Sequence, residues 1–495
     1  MQGNLGTIDI GILLAYCCVV VGMGIYYERK SRTAEQFMVA GRTIPTWAAG
    51  LAVMSTYTSS ISYIATPGKA FDSNWHPIIF SLCIFPVAWL VCRYAVSYYR
   101  RTHVISVYSF LEDRLGSWGR AYAATAFVLY MIGRVAVILY LVGLLLSTFV
   151  PWNIGTVIII VGLVTIAYTM LGGMEAVIWT DVLQSAIMIV GIVCCAVSLS
   201  IDVFSGPNYL IRSALEANKF SLGSWDLSLS SRTVWVMIIY GITENLRSLL
   251  ADQNYVQKYC TVPTERDAKR SIWIAMLIYI PLTAIFLYIG TTLFAFYSPA
   301  GTKLAEGITK GDQVFPYFIA TEVPTGLKGL IIAAIIAAAM STVDSALNSS
   351  ATVLLLDFHK RYLNPNIGDR ASVLFLRLAT AVWGLLGTGA ALLMIRARSA
   401  LDVWWQISGI FGGALLGLFL LAFLRIRLRL WQGLVSIGVS IAVVSWGTFA
   451  RDLPDSSQWA QCNLEAIIVG AVGTAAMMAV ACLLGLTNRN KVIPA

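Results

Sequence analysis

Apolar runs of about 20 residues recur from one end of this 495-residue chain to the other, and a helix of about that length is what crosses a hydrocarbon core. The stretch VIIIVGLVTIAYTML at 157–171 is typical. In lipid, every backbone N–H and C=O must find its partner inside the protein, so only helices and closed barrels span a bilayer. A barrel would show alternating segments of about ten residues; these runs are continuous. Composition agrees. Charged residues make up 12% of the chain, half the roughly 25% of a soluble domain. The sequence therefore predicts an all-α polytopic membrane protein with 13 transmembrane helices, at 7–27, 45–66, 77–97, 121–149, 154–171, 178–202, 233–257, 271–297, 327–356, 372–395, 401–424, 430–450 and 463–486. Small surface helices are expected in the long connections 203–232 and 298–326. No appended soluble domain is expected. The first run is too long for a signal-peptide core and lacks a basic lead-in, so it is assigned to the mature chain.

An odd number of spans puts the termini on opposite sides. With the N-terminus outside, the inner loops hold 21 Lys/Arg and the outer loops 9. Basic residues accumulate on the cytoplasmic side, so the N-terminus is expected outside and the C-terminus inside a cell membrane. The net charge of +9 is scattered over these loops, which argues against a nucleic-acid partner. The nine cysteines and three histidines show no ligand spacing, so a metal enzyme is not expected.

Two spans are interrupted by polar residues. In MSTYTSSISYIATPG (54–68), six of the eight residues 55–62 are Ser or Thr, and Pro67–Gly68 follows. In 233–257, the run carries Gly241, Glu244, Asn245, Arg247 and Asp252. Each interrupted span opens a set of five, 45–202 and 233–424. Five is odd, so the two sets insert with opposite orientation. Inverted repeats that each begin with a broken helix point to the binding site of a secondary transporter. Hydroxyls that merely bond back into their own helix are the structural alternative.

A third polar stretch, AAAMSTVDSALNSS (337–350), lies between GLIIAAII and ATVLLL. An ionised acid at mid-membrane costs about 2.5–3.5 kcal/mol on insertion scales and usually faces a partner or a pathway. Helical spacing aligns Ala338, Ser341, Thr342 and Ser345 on one face, with Asp344 at its edge. Carboxylate, hydroxyls and carbonyls make an oxygen-lined site suited to a hard cation, most naturally Na+. Asp181 in VIWTDVLQ is a second acid with nothing basic within a turn. It is read either as a helix cap or as a carboxylate within reach of that cation. Arg134 lies near the middle of its span. Its guanidinium presents a fork that matches a carboxylate. It either closes an internal ion pair with Glu244 or Asp344, or anchors an acidic solute.

The run AAAMSTVDSALNSSATVLLLDFHKRY, with GGMEAVIWTDVLQ (172–184), DQNYVQKY (252–259) and GRVAVILYL (133–141), resembles the sodium:solute symporter family, and within it the bacterial sialic acid symporters. The resemblance covers nearly the whole chain. It implies a LeuT-type fold of two inverted five-helix repeats, 45–202 and 233–424, with an extra helix at 7–27 before them and two C-terminal helices at 430–486. It implies a main Na+ site at Ser55 and Thr58 (carbonyls), Ala338 (carbonyl), and Ser341 and Thr342 (hydroxyls). A second Na+ site falls on Asp181, Ser341, Asp344 and Ser345. The family often has serine at the place of Asp344; an acid there attracts cations more strongly or lets a proton take the ion's place, so one or two coupling ions remain open. The solute site falls on Arg134, which matches the substrate-carboxylate anchor, and on Ser59 and Ser62.

The walls of that pocket depart from the resemblance. Those symporters carry threonine at Tyr57, glutamine at Ser81 and phenylalanine at Pro77. Tyr57 adds a ring able to stack on a sugar face, and Ser81 lacks an amide. The expectation is a monomeric Na+-coupled importer in the lipid bilayer, not an enzyme, carrying a small organic solute. Sialic acid comes first; a neutral sugar or polyol, a short carboxylate, or solute exchange are the alternatives.

Overall fold

The computed structural model describes residues 5–486 apart from 29–31, 148, 151, 203–205, 298–303, 306–307, 397–399 and 452–459. Helix α1 (Thr7–Glu28) leads into the short α2 (Ala34–Val39), which is closed by a capping box between Thr33 and Gln36. The first interrupted span is two helices, α3 (Thr46–Tyr57) and α4 (Ser60–Asp72). Thr58 and Ser59 between them are extended, with φ near −100°. The next span is α5 (Pro77–Leu82) followed at once by α6 (Ile84–Arg101). A short α7 (Ser109–Leu115) precedes α8 (Ser117–Leu146), the helix of Arg134.

The spans predicted at 154–171 and 178–202 are the two arms of a 49-residue element, α9 (Ile154–Asp202), separated by a kink at Gly173 with φ 62° and ψ −158°. Only glycine adopts that conformation readily, and a Cβ there would meet the Phe37 ring at 2.9 Å. The long connections hold the small helices the sequence predicts, α10 (Gly206–Glu216) and, later, α14 (Gly311–Thr321). The second interrupted span is α11 (Val234–Ala251) and α12 (Gln253–Tyr259), separated by the single extended residue Asp252. The Asp252 carboxylate caps α12 by accepting the Asn254 N–H at 3.0 Å.

Helix α13 (Glu265–Phe296) is capped by Thr264, whose hydroxyl accepts from Asp267 N at 3.1 Å. Then come α15 (Leu327–Val353), continued by a π-helical stretch Leu354–Leu363, α16 (Asp369–Leu393), α17 (Ala400–Phe423), α18 (Leu430–Phe449) and α19 (Val469–Leu486). Among the described residues nine helices are long and apolar enough to cross a membrane. The C-terminus, expected on the inner side, lies outside the described residues.

Burial separates the centre from the rim. The most apolar window of Leu327–Leu363 is 94% buried, that of α1 22%. Helix α15 is therefore the axis of the molecule, although its sequence holds six hydroxyl residues and an aspartate. It is wrapped by α9, α8, α16, α1 and α3. Without a hydrophobic drive between helices in lipid, small residues allow this close approach. At Gly191 of α9 an added Cβ would stand 2.9 Å from that of Ala334. Helix α1, peripheral and apolar, is the least buried of the long apolar helices among the described residues. The two broken helices lie against α15 and α8, so their extended residues sit inside protein, the condition under which irregular backbone is tolerated in a membrane.

Candidate ion and solute site

The two helix breaks meet through Arg134. Its Nη2 donates to the carbonyl of Thr56, just before the first break, at 3.2 Å. Its Nη1 lies 3.9 Å from the carboxylate of Asp252, the residue of the second break. The Tyr255 hydroxyl donates to the same Thr56 carbonyl at 3.2 Å. Carbonyls at the C-terminal end of α3 lose their helical donors, and the arginine and tyrosine supply replacements. Asn254 ties this group to α15. With its amide oriented to satisfy its neighbours, Oδ1 accepts from Arg134 Nη1 at 3.2 Å and Nδ2 donates to the Ser345 carbonyl at 2.9 Å.

The sequence offers Glu244 and Asp344 as internal partners for Arg134; the structure gives Asp252, at the outer limit of an ion pair. Glu244 belongs to Arg247, with two contacts of 2.5 and 2.9 Å. Arg247 also donates to Asp252 at 3.3 Å and to the Tyr130 hydroxyl at 3.2 Å.

Beside Arg134 stands an aromatic wall. The Tyr57 ring lies 4.6 Å from that of Tyr255 and 5.3 Å from that of Tyr279. The Tyr57 hydroxyl is buried with no hydrogen-bond partner. Ser81 is 1% exposed and donates to Thr283 at 3.1 Å. Ser59 and Ser62 start α4, where the Ser59 N–H donates to the Ser62 hydroxyl at 3.3 Å. Both remain half-buried.

Ser55, Thr58, Ala338, Ser341 and Thr342, the positions expected for the main Na+ site, are all fully buried. The Thr342 hydroxyl donates to the Ala338 carbonyl at 3.0 Å, and that of Ser341 to Asp181 at 2.6 Å. No sulfur or imidazole competes in this donor set, so it fits a hard monovalent cation. Ser345 donates to the Ser341 carbonyl at 2.6 Å and to Asp344 at 3.2 Å. Asp344 also accepts from Tyr168 at 2.9 Å. The four residues of the expected second site thus form one chain of contacts.

That chain includes a residue that hydropathy hides. Lys258, fully buried, stands 2.6 Å from Asp181. In sequence it falls among the cytoplasmic loop charges, since it lies one residue beyond the predicted span 233–257. Helix α12 instead carries it into the core. Asp181 is no helix cap either, because α9 runs through it without a break. Thr56, Tyr255, Tyr168 and Asn254 also join these contacts and are not singled out by the sequence, where Asp252 stands only as a polar residue interrupting its span. The one available signal is the Asp252–Tyr259 motif itself, a polar run inside an apolar chain.

Comparisons with known proteins bear on the chain as a whole. The sodium/sialic acid symporter SiaT of Proteus mirabilis (strain HI4320) is 31% identical over 453 residues, 91% of each chain. The sodium-coupled monocarboxylate transporter 2 of Bos taurus is 25% identical over 466 residues, 92% of this chain and 75% of that one. A solved structure of a Na+-coupled sialic acid symporter, substrate-bound and outward-open, superposes with a TM-score of 0.89 at 29% identity, covering 97% of this chain and 98% of that one. The model of the sodium:solute symporter family matches residues 37–430, from α2 to the first residue of α18 and so across both helix breaks and the whole of α15. This chain belongs to the sodium:solute symporter family.

Proposed function

We propose that the protein imports an acidic sugar, sialic acid first, by symport with Na+. The observation that carries the reading is Arg134: a buried guanidinium at the meeting of two helix breaks, with its nearest acid 3.9 Å away. A solute carboxylate gains a charge-assisted, fork-shaped partner there. Both curated relatives described above are named for solutes that carry a carboxylate. In this reading Arg134 anchors the acid. Tyr57 contributes its ring and unpartnered hydroxyl, and Ser59, Ser62 and Ser81 contribute hydroxyls.

Na+ is the driving cargo. Its main site is formed by the carbonyls of Ser55, Thr58 and Ala338 and the hydroxyls of Ser341 and Thr342. These residues come from the first broken helix and from α15, so the ion bridges an element that lines the solute pocket to the axis of the bundle. It favours the conformation in which both sides of that bridge are in place, by its differential affinity for the two states. Each Na+ moving inward contributes about 2.3 kcal/mol per 100 mV of membrane potential. The architecture we assign is 13 spans: two inverted repeats at 45–202 and 233–424, one helix before and two after, N-terminus outside, working as a monomer.

Uptake of radiolabelled sialic acid into proteoliposomes, with an inward Na+ gradient, an inward K+ gradient or none, tests this. Uptake with Na+ alone is expected; counterflow without Na+ would make the protein an exchanger. One observation favours a second reading, a short carboxylate. Tyr57, Tyr255 and Tyr279 crowd the wall, and Ser81 is already bonded to Thr283. Competition by lactate-sized acids stronger than by sialic acid would select it.

A further inference from the structure

We infer that the Lys258 ammonium is a resident cation on Asp181, so that one Na+ rather than two accompanies each solute. This rests on the Na+-coupled reading above and concerns the expected second site, formed by Asp181, Ser341, Asp344 and Ser345.

The ammonium has three N–H donors and no acceptor, and three acceptors surround it. Asp181 Oδ2 and Thr56 Oγ1 each lie at 2.6 Å, and the Ala52 carbonyl at 3.2 Å. Lysine and aspartate are both fully buried. A buried charge is tolerated when it is paired and its remaining hydrogen-bonding capacity is met, and here both conditions hold. The lysine is thus a built part of the site.

Its effect on the layer is specific. Of the two carboxylates a second Na+ would find there, Asp181 is already answered by the ammonium, and Asp344 already accepts two hydroxyl hydrogen bonds. The other Asp181 oxygen accepts a hydrogen bond from the Ser341 hydroxyl at 2.6 Å. With its hydrogen directed at Asp181, the Ser341 oxygen keeps its lone pairs for the main site. Asp181 and Lys258 then act as supports that orient a ligand of the first ion, in the way outer partners fix the ligands of other ion sites. Asp344 has no basic partner within 4.0 Å among the described residues and is held by the hydroxyls of Tyr168 and Ser345. Lys258 is therefore a positioning residue whose charge sets the ion count.

Equilibrium binding of 22Na+ to the purified full-length protein, without solute, reads this count directly. Wild type is expected to bind one Na+ per chain. Lys258→Met leaves Asp181 uncompensated and is expected to bind two; Lys258→Arg keeps a cation and is expected to bind one. Lys258→Met with Asp181→Asn removes both charges and returns the count to one. Two Na+ on wild type overturns the inference and leaves symport intact, and this outcome is decisive even where Lys258→Met does not fold. A folded Lys258→Met that still binds one overturns it too. No saturable Na+ on wild type overturns the Na+-coupled reading itself.

Discussion

A guanidinium and an ammonium of equal charge are not equivalent at position 134. Arg134 spends one nitrogen on Thr56 and holds another toward Asn254 and Asp252. A lysine offers a point charge on a flexible stem and cannot make the planar fork. Arg134→Lys should therefore weaken binding of an acid by about 1.5–3 kcal/mol, the scale of a hydrogen bond to a charged group, and leave neutral analogues unchanged. Calorimetric titration of both ligand types checks this; equal losses for the two would make Arg134 a structural residue. Tyr57→Phe probes the opposite wall. Its hydroxyl has no partner, so its removal should leave the melting temperature of the solute-free protein unchanged or raised. If the hydroxyl serves the solute, affinity falls by about 0.5–1.5 kcal/mol. Unchanged affinity would confine Tyr57 to a packing role. Arg134, Asp181, Ser341 and Asp344 are legible in sequence because a polar residue inside an apolar run stands out. Lys258 is not, because hydropathy places a charge at the end of a span in the nearest loop. Its depth is set by α12 folding back into the core, a tertiary fact with no local signature.

The interrupted helices are legible for a related reason: Ser/Thr density and charges break the apolar pattern where Thr58, Ser59 and Asp252 leave helical geometry. The number of residues outside helix at each break is not legible, since single residues capped from neighbouring elements carry no periodic signal. The two spans predicted at 154–171 and 178–202 correspond to the two arms of α9, whose kink at Gly173 falls in the connection between them. That bend carries the next prediction. Gly173→Ala places a side chain at φ 62°, ψ −158°, and its Cβ 3.0 Å from the Phe37 carbonyl oxygen. Backbone strain of this kind costs on the order of 1–3 kcal/mol. The variant should melt at a lower temperature than wild type with or without Na+. An unchanged melting temperature would mean that the bend relaxes at no cost.

Across the whole molecule, Thr56 joins the residues proposed for the solute to those proposed for the ion. The Thr56 carbonyl is held by Arg134 and Tyr255 on the solute side, while its hydroxyl accepts from Lys258, which holds Asp181, which holds Ser341 on the ion side. Linkage requires that if Na+ tightens solute binding by some factor, solute tightens Na+ binding by the same factor, typically about 5–150-fold. Thr56→Val keeps the carbonyl and the approximate shape but removes the hydroxyl. Lys258 then loses one of three acceptors, and the polar contact between the two sides is cut in the middle. The expected outcome is a coupling factor that falls toward unity, with the affinity for acid in the absence of Na+ close to that of wild type because Arg134 and the carbonyl are untouched. Solute titrations at zero and saturating Na+, with choline holding the ionic strength, give the factor as a ratio of two dissociation constants. A wild-type ratio in Thr56→Val would take the hydroxyl out of the coupling route and leave Asn254, which bridges Arg134 to the Ser345 carbonyl of α15, as the remaining connection.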